Sequence, residues 1–116
     1  MSFTPQWTDE AHQTFERLKQ DAERAQAGRK KSKKTKASKQ EGLFKQVAKT
    51  VRLLMANPRH PGLRTHEFHS LIHPFDPNGK VFEAYAQHRT PGAYRVFWCY
   101  GPGEKEITIL AITPHP

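Results

Sequence analysis

The chain has 116 residues, of which 19 are Lys or Arg and 11 are Asp or Glu, so its net charge is +8 when its seven histidines are counted as neutral. This length suits one small domain, no apolar stretch approaches the ~20 residues of a membrane-spanning helix, and residues 1–28 lack the pattern of a secretory signal. Because Cys99 is the one cysteine, an internal disulfide, a CxxC redox pair and a thiolate zinc site are excluded, and we expect a soluble, cytoplasmic protein.

The chain opens with a candidate edge strand at residues 2–6 and an amphipathic helix at residues 9–26. Thr8 is a suitable N-cap, and Asp9 and Glu10 follow it in the first turn, where the helix dipole favours negative charge. Small and apolar residues then recur at steps of three and four, which predicts one narrow buried stripe. The members of this stripe are Ala11, Phe15, Leu18, Ala22 and Ala25.

A strongly basic run follows at residues 29–39, with seven bases and no acid. It contains no apolar residue larger than Ala and its like charges repel, so it predicts a solvated, flexible loop within an insertion at residues 28–42. Three roles remain open for this loop: an electrostatic arm for nucleic-acid phosphates, a localisation patch, or a solubilising insertion.

A second amphipathic helix is predicted after the basic run. Its apolar face contains Phe44, Val47, Ala48, Val51, Leu54 and Met55. Asn57 and Pro58 end the helix, because the residue before a proline avoids the helical region and proline has no backbone N–H to donate.

The pattern changes to strands in the last third of the chain. Residues 81–87, 94–100 and 106–112 are rich in aromatic and β-branched side chains and are separated by Gly- and Pro-containing turns. The short connections predict an antiparallel meander, in which the last two strands are central because they are apolar on both faces. The expected fold class is α+β, with two N-terminal helices packed on an antiparallel sheet in the order β-α-α-β-β-β.

Histidines are concentrated in the same part of the chain. Histidine gives and takes protons near neutral pH, so several of them in one pocket would suit acid–base catalysis. His66 and His69 have a spacing that could bind a metal, but the surrounding prolines argue against a regular helix there, and we expect no metal and no cofactor. His60, His69 and His73 are predicted to be exposed loop residues.

Arg95 is the one charged residue of its predicted strand. Alternation places it on one face with Phe97 and Cys99. A cation in a largely apolar strand is costly unless it meets an anion or solvent. Two interpretations are open: a salt bridge to Glu83 or Glu67, or recognition of a phosphate by the forked guanidinium.

Several short motifs occur in a characteristic order: FTPQW, LRTHEFHSL, FEAYAQH, GAYRVFWCY and a closing ITPHP. In this order they resemble the RelE/ParE superfamily of toxins from bacterial type II toxin–antitoxin systems, in its RelE-, YoeB- and YafQ-like branch. The resemblance implies a single RelE-like toxin domain over residues 1–116, interrupted by the basic insertion. It also implies a ribosome-dependent, metal-independent messenger-RNA endonuclease that inhibits translation, with a cognate antitoxin, the ribosome and messenger RNA as partners and no membrane association.

The resemblance also implies roles for individual residues. Arg95 matches an arginine that holds the scissile phosphate, and His115 matches a histidine that donates a proton at the end of the last strand. His66 and His88 match two further active-site histidines, which act as a base or as orienting groups.

The carboxylate of the implied site is left open between Glu67 and Glu83. The lysines that RelE carries on the strand before the hairpin correspond to Glu83 and Tyr85, which is a departure from the family pattern. Basic side chains are expected to bind RNA: Arg29, Lys30, Lys31, Lys33, Lys34, Lys36, Arg64, Lys80 and Arg89.

Two other classes of function compete with the nuclease. One is a non-catalytic protein of the same fold, either a topoisomerase poison or a nucleic-acid-binding module. The other is a regulatory protein whose basic loop binds acidic partners. A distance discriminates between the nuclease and the non-catalytic protein: if the imidazoles of His66, His88 and His115 lie more than about 10 Å from the Arg95 guanidinium, they cannot share one phosphate with it.

Overall fold

Two helices pack on one face of a five-stranded sheet in the computed structural model, which describes residues 2–33, 36–88 and 91–114. The elements are β1 (Thr4–Trp7), α1 (Asp9–Lys31), α2 (Lys39–Ala56), a short 3₁₀ helix (Pro61–Leu63), β2 (His66–Glu67), β3 (Phe82–Tyr85), β4 (Tyr94–Tyr100) and β5 (Glu106–Pro114). The predicted α+β class and helix–strand order are confirmed, with the two-residue strand β2 in addition.

The strand order in the sheet is β1-β5-β4-β3-β2, so β4 and β5 are central as predicted. Strands β2 to β5 pair antiparallel, whereas β1 pairs parallel to β5. The predicted antiparallel meander of the last three strands is confirmed, and the parallel pairing of β1 makes the sheet mixed. Short connections make β3, β4 and β5 run antiparallel to one another. The connection from β1 to β5 is long, since it contains both helices and the other strands, and a connection of that length permits parallel pairing.

Both helices extend further into the basic run than the sequence predicted. Residues 28–31 form the end of α1 and residues 39–42 form the start of α2, so the prediction that these eight positions belong to an irregular loop was wrong. Lys and Arg are good helix formers. The basic residues in the last turn of α1 also lie where the helix dipole favours positive charge.

Glu41 joins the end of α1 to the start of α2. Its carboxylate accepts hydrogen bonds from the Arg29 guanidinium at 2.9 to 3.3 Å and from the backbone N–H of Ser38 at 2.8 Å. The Ser38 hydroxyl in turn accepts from the Glu41 N–H, which completes a capping box. The Arg29 hydrogen bonds are the main reason that the pKa of Glu41 falls to about 2.

The hydrophobic core lies between the helices and one face of the sheet. Its largest member, Trp98 of β4, is almost fully buried against side chains of α1, α2 and β5, including Leu18, Leu54 and Ile109. Since neighbouring residues of a strand point to opposite faces, burial of Val96 and Trp98 turns Arg95 and Phe97 to the other face. No helix in the described part of the chain is long and apolar enough to cross a bilayer.

Candidate active site

The register of the sheet brings four of the chemically interesting side chains to the face opposite the helices. Tyr85 of β3 lies opposite Arg95 of β4, and His66 of β2 lies opposite Glu83 of β3. Residues opposite one another on paired strands project to the same face. The candidate site is therefore built on three adjacent strands.

His66 and Glu83 form a close pair at this face. His66 Nε2 lies 2.6 Å from Glu83 Oε1, and the two side chains differ in exposure, 49% for His66 and 3% for Glu83. The other carboxylate oxygen of Glu83 is buried and has no hydrogen-bond partner among the described residues. Because Glu83 is covered, His66 is the member of the pair that an incoming molecule can reach.

Tyr85 lies at the centre of the site. Its ring centroid is 5.5 Å from that of His66, 5.6 Å from that of His88 and 3.8 Å from Cζ of Arg95. All three distances are measured from the Tyr85 ring centroid, so neither imidazole centre can lie more than about 10 Å from Arg95 Cζ. This separation is the limit at which an imidazole and the guanidinium can share one phosphate. His66, His88 and Arg95 therefore lie close enough to contact one substrate group.

Arg95 is a buried cation held by backbone carbonyls. Its Nη1 donates hydrogen bonds to the carbonyl oxygens of Gln87, Ala93 and Tyr94 at 3.1, 3.2 and 3.4 Å. Its Nε is buried and has no partner within residues 2–33, 36–88 and 91–114. The guanidinium is therefore anchored at one nitrogen and keeps a buried donor without a partner at another.

Glu67 lies apart from this cluster. It pairs with Phe82, which belongs to the helix-facing side of β3, and its carboxylate contacts His69 Nδ1 at 3.3 Å and Lys80 Nζ at 3.6 Å. The alternative of a salt bridge between Arg95 and either carboxylate is wrong, because neither carboxylate forms an ion pair with Arg95: Glu83 pairs with His66, and Glu67 with His69 and Lys80. Of the two carboxylates left open by the sequence, Glu83 is the one in the cluster.

Two histidines predicted to be exposed loop residues are instead half-buried and hydrogen-bonded. His73 Nδ1 accepts from the backbone N–H groups of Phe75 and Asp76, and its Nε2 lies 3.1 Å from the carbonyl oxygen of Tyr100. His60 Nδ1 accepts from the N–H of Gly62 at the start of the 3₁₀ helix. These local hydrogen bonds hold the two rings against the protein, while His69 is exposed as predicted.

Three of the predicted site residues, His115, Arg89 and Lys34, lie outside the described residues. His115 directly follows Pro114, the last residue of β5, which pairs with Tyr94. In the described part of the chain, no group of three His, Cys, Asp or Glu side chains could hold a metal ion.

The predicted RNA-binding side chains occupy two separate regions. Arg29 is half-buried and bound to Glu41, while the lysines beyond it are exposed at the end of the helical hairpin. Lys30, Lys31, Lys33 and Lys36 form this exposed set, which we call the basic tip. The molecule measures 52 × 26 × 25 Å. Arg64 and Lys80 are exposed near β2.

Tyr85 is a site residue that was not predicted from the sequence. The sequence shows it only as the residue at a position where RelE carries a lysine. A pattern could have identified it. Strict alternation along residues 83–87 places Glu83, Tyr85 and Gln87 on one face, and pairing with the next strand places Arg95 beside them.

No protein-family model matches the chain, and no curated protein matches its sequence. The solved structures that are similar to it in fold include those of two toxins. A YoeB/ParE toxin from Agrobacterium tumefaciens has a TM-score of 0.61 and 8% sequence identity over 97% of this chain and 99% of that chain. The YoeB dimer from Staphylococcus aureus has a TM-score of 0.57 and 10% identity over the whole of both chains. The chain therefore has the fold of the RelE/ParE superfamily of toxins.

Proposed function

We propose that the chain is the toxin of a type II toxin–antitoxin system and that it cleaves messenger RNA on the ribosome without a metal ion. The observation that carries this proposal is the convergence of His66, His88 and Arg95 around Tyr85, with a buried carboxylate behind His66. The fold supports the class of protein, and the site supports the reaction.

The reaction is an internal transesterification. The 2′-hydroxyl of one nucleotide attacks the adjacent phosphorus, so an O2′–P bond forms and the P–O5′ bond breaks, leaving a 2′,3′-cyclic phosphate and a 5′-hydroxyl. The site must accept the proton of the 2′-hydroxyl, return a proton to the 5′-oxygen and stabilise the negative charge of the pentacovalent transition state.

His66 is the proton acceptor in this proposal, and Glu83 orients it. An ionised carboxylate can only accept, so Glu83 keeps a proton on Nε2 of the neutral ring and leaves Nδ1 with its lone pair. The carbonyl oxygen of Arg64 lies 3.4 Å from Nδ1, but in this tautomer Nδ1 carries no proton and the two atoms form no hydrogen bond. The Nδ1 lone pair is then left to accept the proton of the 2′-hydroxyl.

Arg95 stabilises the charge on the phosphate. Its carbonyl anchors and its contact with the Tyr85 ring fix the guanidinium beside the two imidazoles, so its positive charge can stabilise the phosphate. His88 provides a second imidazole beside Tyr85. The resemblance assigns the proton donor for the 5′-oxygen to His115.

The remaining partners follow from charge and exposed apolar surface. The basic tip would bind ribosomal RNA phosphates, and the protein would then act in the cytoplasm.

Leu71, Ile72 and Phe75 are exposed beside a cavity of about 470 Å³ on the sheet face opposite the helices. An antitoxin that neutralises this chain would combine acidic residues with apolar side chains for that surface.

The test is a cell-free translation reaction supplied with the purified protein. We expect cuts in the messenger that are aligned with codons and that leave 2′,3′-cyclic phosphate ends, which primer extension and end-specific ligation detect. Intact messenger at high protein concentration would contradict the proposal. Inhibition of a topoisomerase in a parallel supercoiling reaction would then favour the non-catalytic alternative.

A further inference from the structure

A further cavity lies on the helix-facing side of the sheet, behind the segment that leads into β2. Its volume is about 440 Å³. Phe82 of β3 and Trp98 of β4 form part of its wall, and these two residues lie opposite one another on the helix-facing side of the paired strands. The candidate active site is on the other face of the sheet, and none of its side chains lines this cavity. The two sites are therefore separate.

The charged side chains of this cavity are all positive. Arg59 and Arg64 line it and are exposed, and neither forms an ion pair with any residue that the structure describes. His60 adds an imidazole whose neutral ring carries its proton on Nε2, because Nδ1 accepts from the N–H of Gly62. None of the described residues that line the cavity is Asp or Glu. The cavity is therefore suited to an anion.

The backbone of Arg64 supports a role for its side chain. Its φ of 49° and ψ of 39° lie in the left-handed region, where a residue with a side chain costs free energy that glycine would avoid. Its N–H donates to the carbonyl oxygen of Pro61 at 3.2 Å, which holds the residue at the end of the 3₁₀ helix. A guanidinium at a position that favours glycine indicates a use for its charge.

Tyr100 contributes an exposed aromatic surface to the same cavity. It lines the cavity, and 40% of the residue is exposed. Its ring centroid is 5.0 Å from that of Trp98 and 6.0 Å from that of Phe82, at interplanar angles of 80° and 79°. Because these contacts hold the ring in place, little side-chain freedom is lost when a ligand packs on it. A flat heteroaromatic ring stacks well on such a side chain.

We infer that this cavity binds a free nucleoside monophosphate, whose base packs on Tyr100 and whose phosphate binds Arg59 and Arg64. The phosphate of such a nucleotide carries about two negative charges at pH 7, which match the two arginines. Each phosphate within an RNA strand carries a single charge and matches them less well. The inference goes beyond the proposed cleavage of messenger RNA and does not depend on it.

The test is the affinity of the wild-type protein for adenosine 5′-monophosphate, ribose 5-phosphate and adenosine, measured by calorimetry. The nucleotide is expected to bind about tenfold more tightly than either fragment, because only the nucleotide uses both the aromatic ring and the arginines. Equal affinity for the three compounds, or no binding of the nucleotide, would overturn the inference.

The two tryptophans of the chain report where the nucleotide binds. Trp98 lines the cavity, and its Nε1 is buried without a hydrogen-bond partner among the described residues. Trp7 belongs to β1 and does not line the cavity. Adenosine 5′-monophosphate is expected to shift the indole N–H signal of Trp98 in NMR spectra and to leave that of Trp7 unchanged. Equal shifts of the two signals would overturn the inference.

Substitutions of the arginines test the phosphate contact. Arg59→Gln and Arg64→Gln are each expected to weaken adenosine 5′-monophosphate about tenfold and to leave adenosine unchanged. Arg52→Gln, on the exposed side of α2, is the matched control. Equal effects of Arg64→Gln and Arg52→Gln would overturn the inference.

Substitutions of Tyr100 test the aromatic contact. Tyr100→Phe keeps the ring and is expected to bind the nucleotide like wild type. Tyr100→Leu removes the ring and is expected to lower the affinity for the nucleotide to that for ribose 5-phosphate. Equal affinities of the Phe and Leu variants for the nucleotide would overturn the aromatic contact and with it the inference.

Two further measurements separate this cavity from the candidate active site. Arg95→Ala is expected to leave the binding of adenosine 5′-monophosphate unchanged, because Arg95 lies on the other face of the sheet. An RNA oligonucleotide without a terminal phosphate is expected not to displace the nucleotide. Loss of nucleotide binding in Arg95→Ala, or displacement by the oligonucleotide, would overturn the inference.

Discussion

Glu83 and Arg95 are buried side chains of opposite charge on the same face of the sheet, yet they are not paired with each other. Glu83 binds His66 and leaves one oxygen unsatisfied among the described residues, and Arg95 binds backbone carbonyls and leaves Nε unsatisfied. Buried polar atoms without a partner are costly, and they concentrate at functional sites. At the residue scale, this incomplete pairing distinguishes the site from an ordinary buried salt bridge.

Glu83→Gln tests the orienting role of this carboxylate. The amide cannot stabilise the ring when it takes a proton, so we expect kcat for messenger cleavage to fall by about 10- to 100-fold with little change in KM. Glu67→Gln is the control, because Glu67 lies outside the cluster and should keep both constants near the wild-type values. A rise in KM alone for Glu83→Gln would contradict the orienting role.

Cys99 gives a test of the core that is independent of function. It is fully buried, and burial raises the pKa of its thiol to about 11. Since the thiolate is the reactive form, we expect no reaction with a disulfide reagent in the native protein at pH 8 and full reaction in denaturant. Fast native labelling would show that β4 is more accessible than the structure indicates.

The sequence predicted the sheet face of Arg95 better than it predicted the contacts between neighbouring strands. Alternation along β4 was enough to place Arg95 on the face with Phe97, because the strand is long and its period is strict. The choice between Glu67 and Glu83 depended on register with β2. That strand has two residues, and its pairing follows from tertiary packing rather than from local pattern.

At the element scale, the helical hairpin shows how an ion pair extends helices into a basic segment. Repulsion among like charges predicted a loop from residue 28 onward. The Arg29–Glu41 pair and the capping box at Ser38 offset that repulsion. The capping box is a local Ser-x-x-Glu pattern that can be read from the sequence, whereas the ion pair can be recognised only once the two helices are known to be neighbours. The irregular part of the connection is therefore shorter than the charge run.

The ion pair predicts how stability depends on pH. Because Arg29 lowers the pKa of Glu41 from 4.5 to about 2, the pair contributes stability that is complete above the ordinary pKa and is lost as the pH falls toward 2. Glu41→Gln should lower Tm at pH 7, and its difference from wild type should shrink between these two pH values. Glu23→Gln, on the exposed side of α1, is the control. A difference that is constant with pH would contradict the pair.

At the scale of the whole molecule, the positive charge is concentrated at one end. The run at residues 29–39 contributes +7 of the net +8, and its exposed lysines lie at the end of the helical hairpin. An elongated molecule of 52 × 26 × 25 Å can therefore present the basic tip and the candidate site as two surfaces. Docking on RNA phosphates would then use one surface, and chemistry the other.

Replacing three lysines of the basic tip with glutamine tests this separation. The variant, in which glutamine replaces Lys30, Lys31 and Lys33, should bind ribosomes more weakly, with a slope of log K against log salt that is less steep by about 2, since each phosphate contact to single strands contributes about 0.7. The control replaces Lys19, Lys45 and Lys105, which are also exposed. Equal slopes for the two triple variants would contradict a specific role for the basic tip.

The measurement that tests the central claim most directly is the single-turnover rate of messenger cleavage on ribosomes for four proteins: wild type, His66→Ala, Arg95→Ala and His69→Ala. His66 and Arg95 surround Tyr85, whereas His69 is three residues from His66 and is bound to Glu67 outside the cluster. The account predicts that the first two variants lose about 10² or more in rate and that His69→Ala cleaves like wild type. Equal rates for all four proteins would contradict it.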